Sequence, residues 1–124
     1  MKKTILLFTK NLDDNATLVR KVLSARGYEV LWANTFEKAL EMIAVYPPGL
    51  ILFDVIISDV YGKSPVDRFR NIPKLNKVPL IGMISSSEEI FDIPEKDDGC
   101  DGYIHKPVDI QQLSEKISHF FKPT

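Results

Sequence analysis

Polar positions cut the chain into short apolar runs and longer segments of helical period. Thr4–Phe8 (TILLF) is a continuous apolar run, the mark of a strand covered on both faces. From Asp14 to Arg26 the positions Leu18, Val19, Val22 and Leu23 form a helical stripe; Asp14 can cap that helix and Gly27 stands where a left-handed residue would end it. Tyr28–Ala33 (YEVLWA) predicts a second strand, on which Trp32 would pack. The second helix has Thr35 as its cap and Phe36, Ala39, Leu40 and Ile43 as its stripe, and Pro47, Pro48 and Gly49 stop it. Leu50–Asp54 is the third strand. Ser64 and Pro65 open a short third helix, with Asp67 completing a capping box and an end near Asn71. Val78–Ser85 and Gly102–Lys106 are strands four and five. Pro94 interrupts the segment before the fifth strand, so only a short or irregular helix is expected between Glu88 and Asp97. The last helix opens at Asp109, with Gln112 three residues on, and carries Leu113, Ile117, Phe120 and Phe121.

Strands alternating with helices imply parallel βαβ units with right-handed crossovers and a sheet covered on both faces. Ligands of such sheets bind beyond the carboxyl ends of the strands. Asp54 draws attention in that setting. It lies between the apolar triplets Ile51–Phe53 and Val55–Ile57, where an unpaired charge is costly.

Composition narrows the classes. The 124 residues suit one domain, 1–124, and 44% hydrophobic residues argue against disorder. A formal net charge of −1 leaves no basic footprint for nucleic acid and no pull toward an anionic membrane. The start, MKKTILLF, has an apolar run too short for a signal peptide, and no run approaches a membrane span. Cys100 is the one cysteine, which excludes an internal disulfide and fits a cytoplasmic location; it reads as a core residue. His105 and His119 have no clustered partners in sequence and are assigned neither to metal nor to catalysis.

The segments GLILFDVIISDVYG (49–62), VPLIGMIS (78–85), GCDGYIHKP (99–107) and ARGYEV (25–30) together resemble the receiver domain of two-component response regulators. The resemblance covers essentially the whole chain. It implies a (βα)5 doubly wound, flavodoxin-like three-layer sandwich whose parallel five-stranded sheet has the order 2-1-3-4-5. It places Asp54 at the phosphoacceptor position, Gly62 at the loop glycine and Tyr103 at the aromatic switch position. Lys106 and Pro107 match the phosphate-binding Lys-Pro pair, which in the family has a cis peptide bond. Asp54 would then be a nucleophile toward a phosphoryl group, with Lys106 a point charge for its oxygens. A histidine kinase or phosphotransfer protein is the implied donor. An output domain or target protein is the implied partner, with a homodimer as a further arrangement.

The departures from the family lie at the same site. Receivers carry two adjacent acidic residues after the first strand, which with the phosphoacceptor hold Mg²⁺. Aligned on the strand, that pair becomes Thr9 and Lys10; aligned back from Gly27, it becomes Lys10 and Asn11. Neither alignment supplies a carboxylate, so of the metal ligands the pattern keeps Asp54 alone. Asp13 and Asp14 are near in sequence but read as the start of the first helix. Lys10 is expected to place its ammonium where the metal would sit and to pair with Asp54. At the end of the fourth strand the family has Thr or Ser; counted from Pro79 this is Ile84, with Ser85 one residue late unless a bulge restores it. Ser58 replaces a usual proline, Tyr61 puts a ring near the rim, and Asp59 reads as a solvent-facing loop residue.

Three functions come into question for these residues. One is a phosphoacceptor signalling module built on Asp54. The second is a degenerate receiver that serves as a phosphorylation-independent interaction surface. The third, a small phosphatase-like enzyme, lacks a general acid, a glycine-rich phosphate loop and a carboxylate two residues after Asp54, where Ile56 stands.

Overall fold

The computed structural model describes residues 3–54, 65–75, 77–85 and 101–121. Ser58, Asp59, Tyr61, Gly62, the Ser64–Asp67 capping box, the expected element around Pro94 and Cys100 lie outside what is described.

Five strands, β1 (Thr4–Phe8), β2 (Glu29–Ala33), β3 (Leu50–Asp54), β4 (Leu80–Ser85) and β5 (Gly102–Lys106), form one sheet in the order β2-β1-β3-β4-β5. Every pairing is parallel. Among the described residues the helices are α1 (Asp14–Ala25), α2 (Phe36–Val45), α3 (Pro65–Arg70) and α4 (Ile110–Phe120), with a 3-10 turn at Pro73–Leu75. Strand alternation divides the core in two. Ile5, Leu7, Leu50, Leu52, Ile81, Met83 and Ile104 pack with Val19 and Leu23 of α1 and Leu113 and Ile117 of α4. Leu6, Phe8, Ile51, Phe53 and Leu80 pack on the other face with Ala39 and Ile43 of α2 and with Phe69 and Leu75. Burial on both faces is why these strands read as unbroken apolar runs.

Local chemistry sets the ends. Gly27 has φ 93°, the left-handed value expected after α1. Thr35 caps α2 by accepting from the Lys38 N–H, and Asp109 caps α4 by accepting from Gln112.

Four expectations need correction. The cap of α1 is Asp13, not Asp14: Asp13 has extended backbone angles and its carboxylate accepts from the Ala16 N–H at 2.9 Å, which makes Asp14 the first helical residue. Leu40 is 41% exposed, since α2 turns Ala39 and Ile43 inward and leaves Leu40 on the rim. β4 starts at Leu80 rather than Val78, because the Val78 N–H closes the preceding turn on Leu75 O and Pro79 has no N–H for the ladder. β2 starts at Glu29 because the Tyr28 N–H bonds back to Leu23 O, closing the end of α1.

Candidate functional site: the Asp54–Lys106 crevice

The site forms where the carboxyl ends of β1, β3, β4 and β5 meet. Alternation along β3 puts Asp54 on the side of Leu50 and Leu52, facing the α1 and α4 layer. Phe8 pairs with Phe53, so Thr9 and Asp54 follow side by side, one residue beyond that pair. Met83 of β4 pairs with both Asp54 and Ile104, and Lys106 lies two residues past Ile104. Lys106 therefore reaches over β4, across about 10 Å of sheet, and its Nζ donates to Asp54 Oδ2 at 2.8 Å. Asp54 is 9% exposed, and its Oδ1 is buried without a hydrogen-bond partner. One carboxylate oxygen is thus held by a cation while the other is buried without a partner.

The wall beside it is built by the segment after β1. Thr9 is buried, and its N–H extends the ladder to Ala33 O. Its hydroxyl donates to Asn11 O at 3.1 Å and accepts from Trp32 Nε1 at 3.0 Å; the same indole N–H lies 3.1 Å from Thr9 O. Lys10 and Asn11 are exposed. Asn15, in the first turn of α1, accepts from the Val108 N–H at 3.0 Å. That bond ties α1 to the segment leaving Lys106 through its cis bond to Pro107.

The expected Lys10–Asp54 pair does not form. Thr9 shares the side of Asp54, and the next residue turns its side chain out to solvent, while Lys106 occupies the carboxylate. At the end of β4 the two candidate switch positions differ in register. Ser85 pairs with Lys106 and shares the alternation of Met83, whereas Ile84 pairs with His105 and takes the other side. Tyr103, half-buried on β5, pairs with Gly82, and its carbonyl accepts from Lys116 Nζ at 2.9 Å. His105 is exposed and His119 stacks edge-on against Phe120.

The donor set can be tested against Mg²⁺, which takes oxygen ligands in tight octahedral geometry, usually with one or two carboxylates. Among the described residues no group of three His, Cys, Asp or Glu side chains comes together, and Asp54 already shares one oxygen with Lys106. Asp13 is occupied as a helix cap, and Asp14 is exposed on the first turn of α1. These residues do not fit the ion.

A family search matches residues 11–118 to the response regulator receiver domain. The chain belongs to the receiver domain family. It is 25% identical over 120 residues to the polar-differentiation response regulator DivK of Brucella ovis, covering 97% of each chain. A response regulator of Desulfuromonas acetoxidans superposes with a TM-score of 0.84 at 20% identity, covering 97% of both chains, a likeness of fold. A response regulator receiver modulated diguanylate cyclase of Pelobacter carbinolicus gives 0.77 at 25% identity, over 97% of this chain and 92% of that one. Receivers are signalling modules that interact with histidine kinases and output domains. No described helix is long and apolar enough to cross a membrane.

Two residues of the crevice escaped the sequence reading. The strand pattern gives Trp32 only a packing role, yet a half-buried indole N–H needs an acceptor, and that need is the available signal. Asn15 carried no signal separable from an ordinary first-turn polar residue.

Proposed function

We propose that this receiver accepts a phosphoryl group on Asp54 from a phosphohistidine of a histidine kinase or phosphotransfer protein. The supporting observation is the divided state of the Asp54 carboxylate, with Oδ2 on Lys106 and Oδ1 buried without a hydrogen-bond partner. Oδ1 attacks phosphorus, an O–P bond forms, and the P–N bond to the donor imidazole breaks. The imidazole keeps the electron pair and takes up a proton. The added charge draws Lys106 from Oδ2 toward the phosphoryl oxygens, an electrostatic change local to β3 and β5. Ile84 and Ser85, which pair with His105 and Lys106 at the end of β4, are the switch positions beside the site. Tyr103 responds on β5 as the switch residue.

A second reading has its own support. Thr9, Lys10 and Asn11 carry no carboxylate, and the Asp54–Lys106 pair is complete without a phosphoryl group. That combination suits a receiver used as a phosphorylation-independent interaction module. Intact mass after incubation with a small acyl phosphate, with and without Mg²⁺, decides between them. A phosphate-sized gain absent from Asp54→Ala carries the first reading. No gain under either condition carries the second.

A further inference from the structure

Several oxygens of the segment after β1 are already engaged. Thr9 O and Oγ1 both accept from the Trp32 indole, and the Thr9 hydroxyl proton is given to Asn11 O. Leu12 O accepts from the Thr17 hydroxyl at 3.4 Å, and Asp13 Oδ1 from the Ala16 N–H. Asp54 Oδ2 holds the Lys106 ammonium, and Lys10 adds an exposed positive charge next to Thr9. Among the described residues, a dication entering here would meet one carboxylate, already paired with the Lys106 ammonium, and to use the Thr9 oxygens it would have to strip an indole from its acceptors.

From this we infer that the Asp54 crevice excludes divalent cations, and that the Trp32–Thr9 bond, rather than a metal, holds the β1–α1 segment in place. The inference concerns the site of the proposed phosphoryl transfer and takes from that proposal only the location. It deepens the reading of that site: whatever Asp54 does, it does without Mg²⁺. Lys106 supplies the positive charge beside Asp54, and the wall of the crevice is a fixed hydrogen-bonded turn.

Trp32 is the only tryptophan of the chain, so its emission reports on this wall without a label. The test is a MgCl₂ titration at constant ionic strength, following Trp32 emission and the amide shifts of Thr9, Lys10 and Asp54. The unaltered protein is expected to show no saturable change. Lys10→Asp/Asn11→Asp alters two exposed positions and places an acidic pair in one of the two alignments, so it is expected to fold and to gain a saturable response. A saturable response of the unaltered protein, lost in Asp54→Asn, overturns the inference. So does a folded Lys10→Asp/Asn11→Asp variant that remains blind to Mg²⁺, because the exclusion would then not reside in this segment. Binding is read from Trp32 and phosphorylation from mass, so failure of one reading is distinguishable from failure of the other.

Discussion

Lys106 Nζ lies 2.8 Å from Asp54 Oδ2, with the width of β4 between the two strands that carry them. Both side chains are nearly buried, at 13% and 12% exposed. Breaking a buried pair from one side leaves the other charge uncompensated, at a cost of about 3–5 kcal/mol. The two sides are not equivalent. Lys106→Met strands a carboxylate at a strand end that cannot move, whereas Asp54→Asn leaves an ammonium on a flexible stem that can turn toward water and keep an amide acceptor. Lys106→Met is therefore expected to destabilise by about 3 kcal/mol and Asp54→Asn by under about 1 kcal/mol. Urea unfolding of both, with unchanged m-values, checks this. The double variant is expected to recover most of the Lys106→Met loss; a strictly additive result would deny the pair.

At the opposite end of the sheet, Arg70 joins three elements. Its Nη1 donates to Leu75 O at 3.3 Å and Val78 O at 3.1 Å, and its Nη2 lies 2.6 Å from Asp101 Oδ2, which also accepts from the Leu80 N–H at 2.8 Å. Asp101 is 39% exposed, so solvent screens the charge part and most of the value is geometric. Arg70→Ala is expected to lower stability by about 1.5–3 kcal/mol. Arg70→Lys should recover little of it, because an ammonium cannot span carbonyls and carboxylate in one plane. Thermal melts of the two variants settle the order. Because the clamp lies far from Asp54, mass gain from an acyl phosphate should match that of the parent protein.

The architecture was legible because doubly covered strands have no polar face to hide, so each run from Thr4–Phe8 onward announced itself. Thr35 and Asp109 were legible as caps because each stands alone before an apolar stripe. Asp13 and Asp14 were not separable, since either carboxylate can cap and only the backbone angles choose between them. Asp54 and Lys106 could be placed from strand ends. Their 2.8 Å contact could not, because it depends on which of two lysines shares the parity of the carboxylate. The choice between Ile84 and Ser85 was not legible, because a count from Pro79 gives distance along the strand and not the register, in which Ile84 pairs with His105 and Ser85 with Lys106.

Asn15 is expected to act on Lys106 at one remove. Its Oδ1 holds the Val108 N–H at 3.0 Å, two residues beyond Lys106. Asn15→Ala removes a bond worth about 1 kcal/mol, so exchange of the Val108 amide should rise about fivefold if local opening governs it. Asn15→Asp keeps the acceptor and should keep the protection. Equal exchange in all three proteins would assign the Val108 amide to global unfolding and deny Asn15 a local role.

Gly49 and Phe121 provide the last test, at the end of the sheet away from Asp54. A Cβ on Gly49 would lie 2.5 Å from Phe121 Cε1, while the Gly49 N–H is held at 2.8 Å by Thr4 O. The ring has little room to yield: it stacks on Tyr28 at 5.4 Å between centroids, and Lys3 Nζ sits 5.2 Å from its centre and donates to Phe121 O. Gly49→Ala is expected to cost about 1–3 kcal/mol, the usual range for overpacking. Phe121→Leu alone should also destabilise, by loss of the stacked ring. Combined, the two should cost less than their sum, because the smaller side chain clears the methyl group. Denaturant midpoints of the four proteins measure that coupling. A sum that simply adds would show that the ring swings aside at no cost and that glycine is not required at position 49.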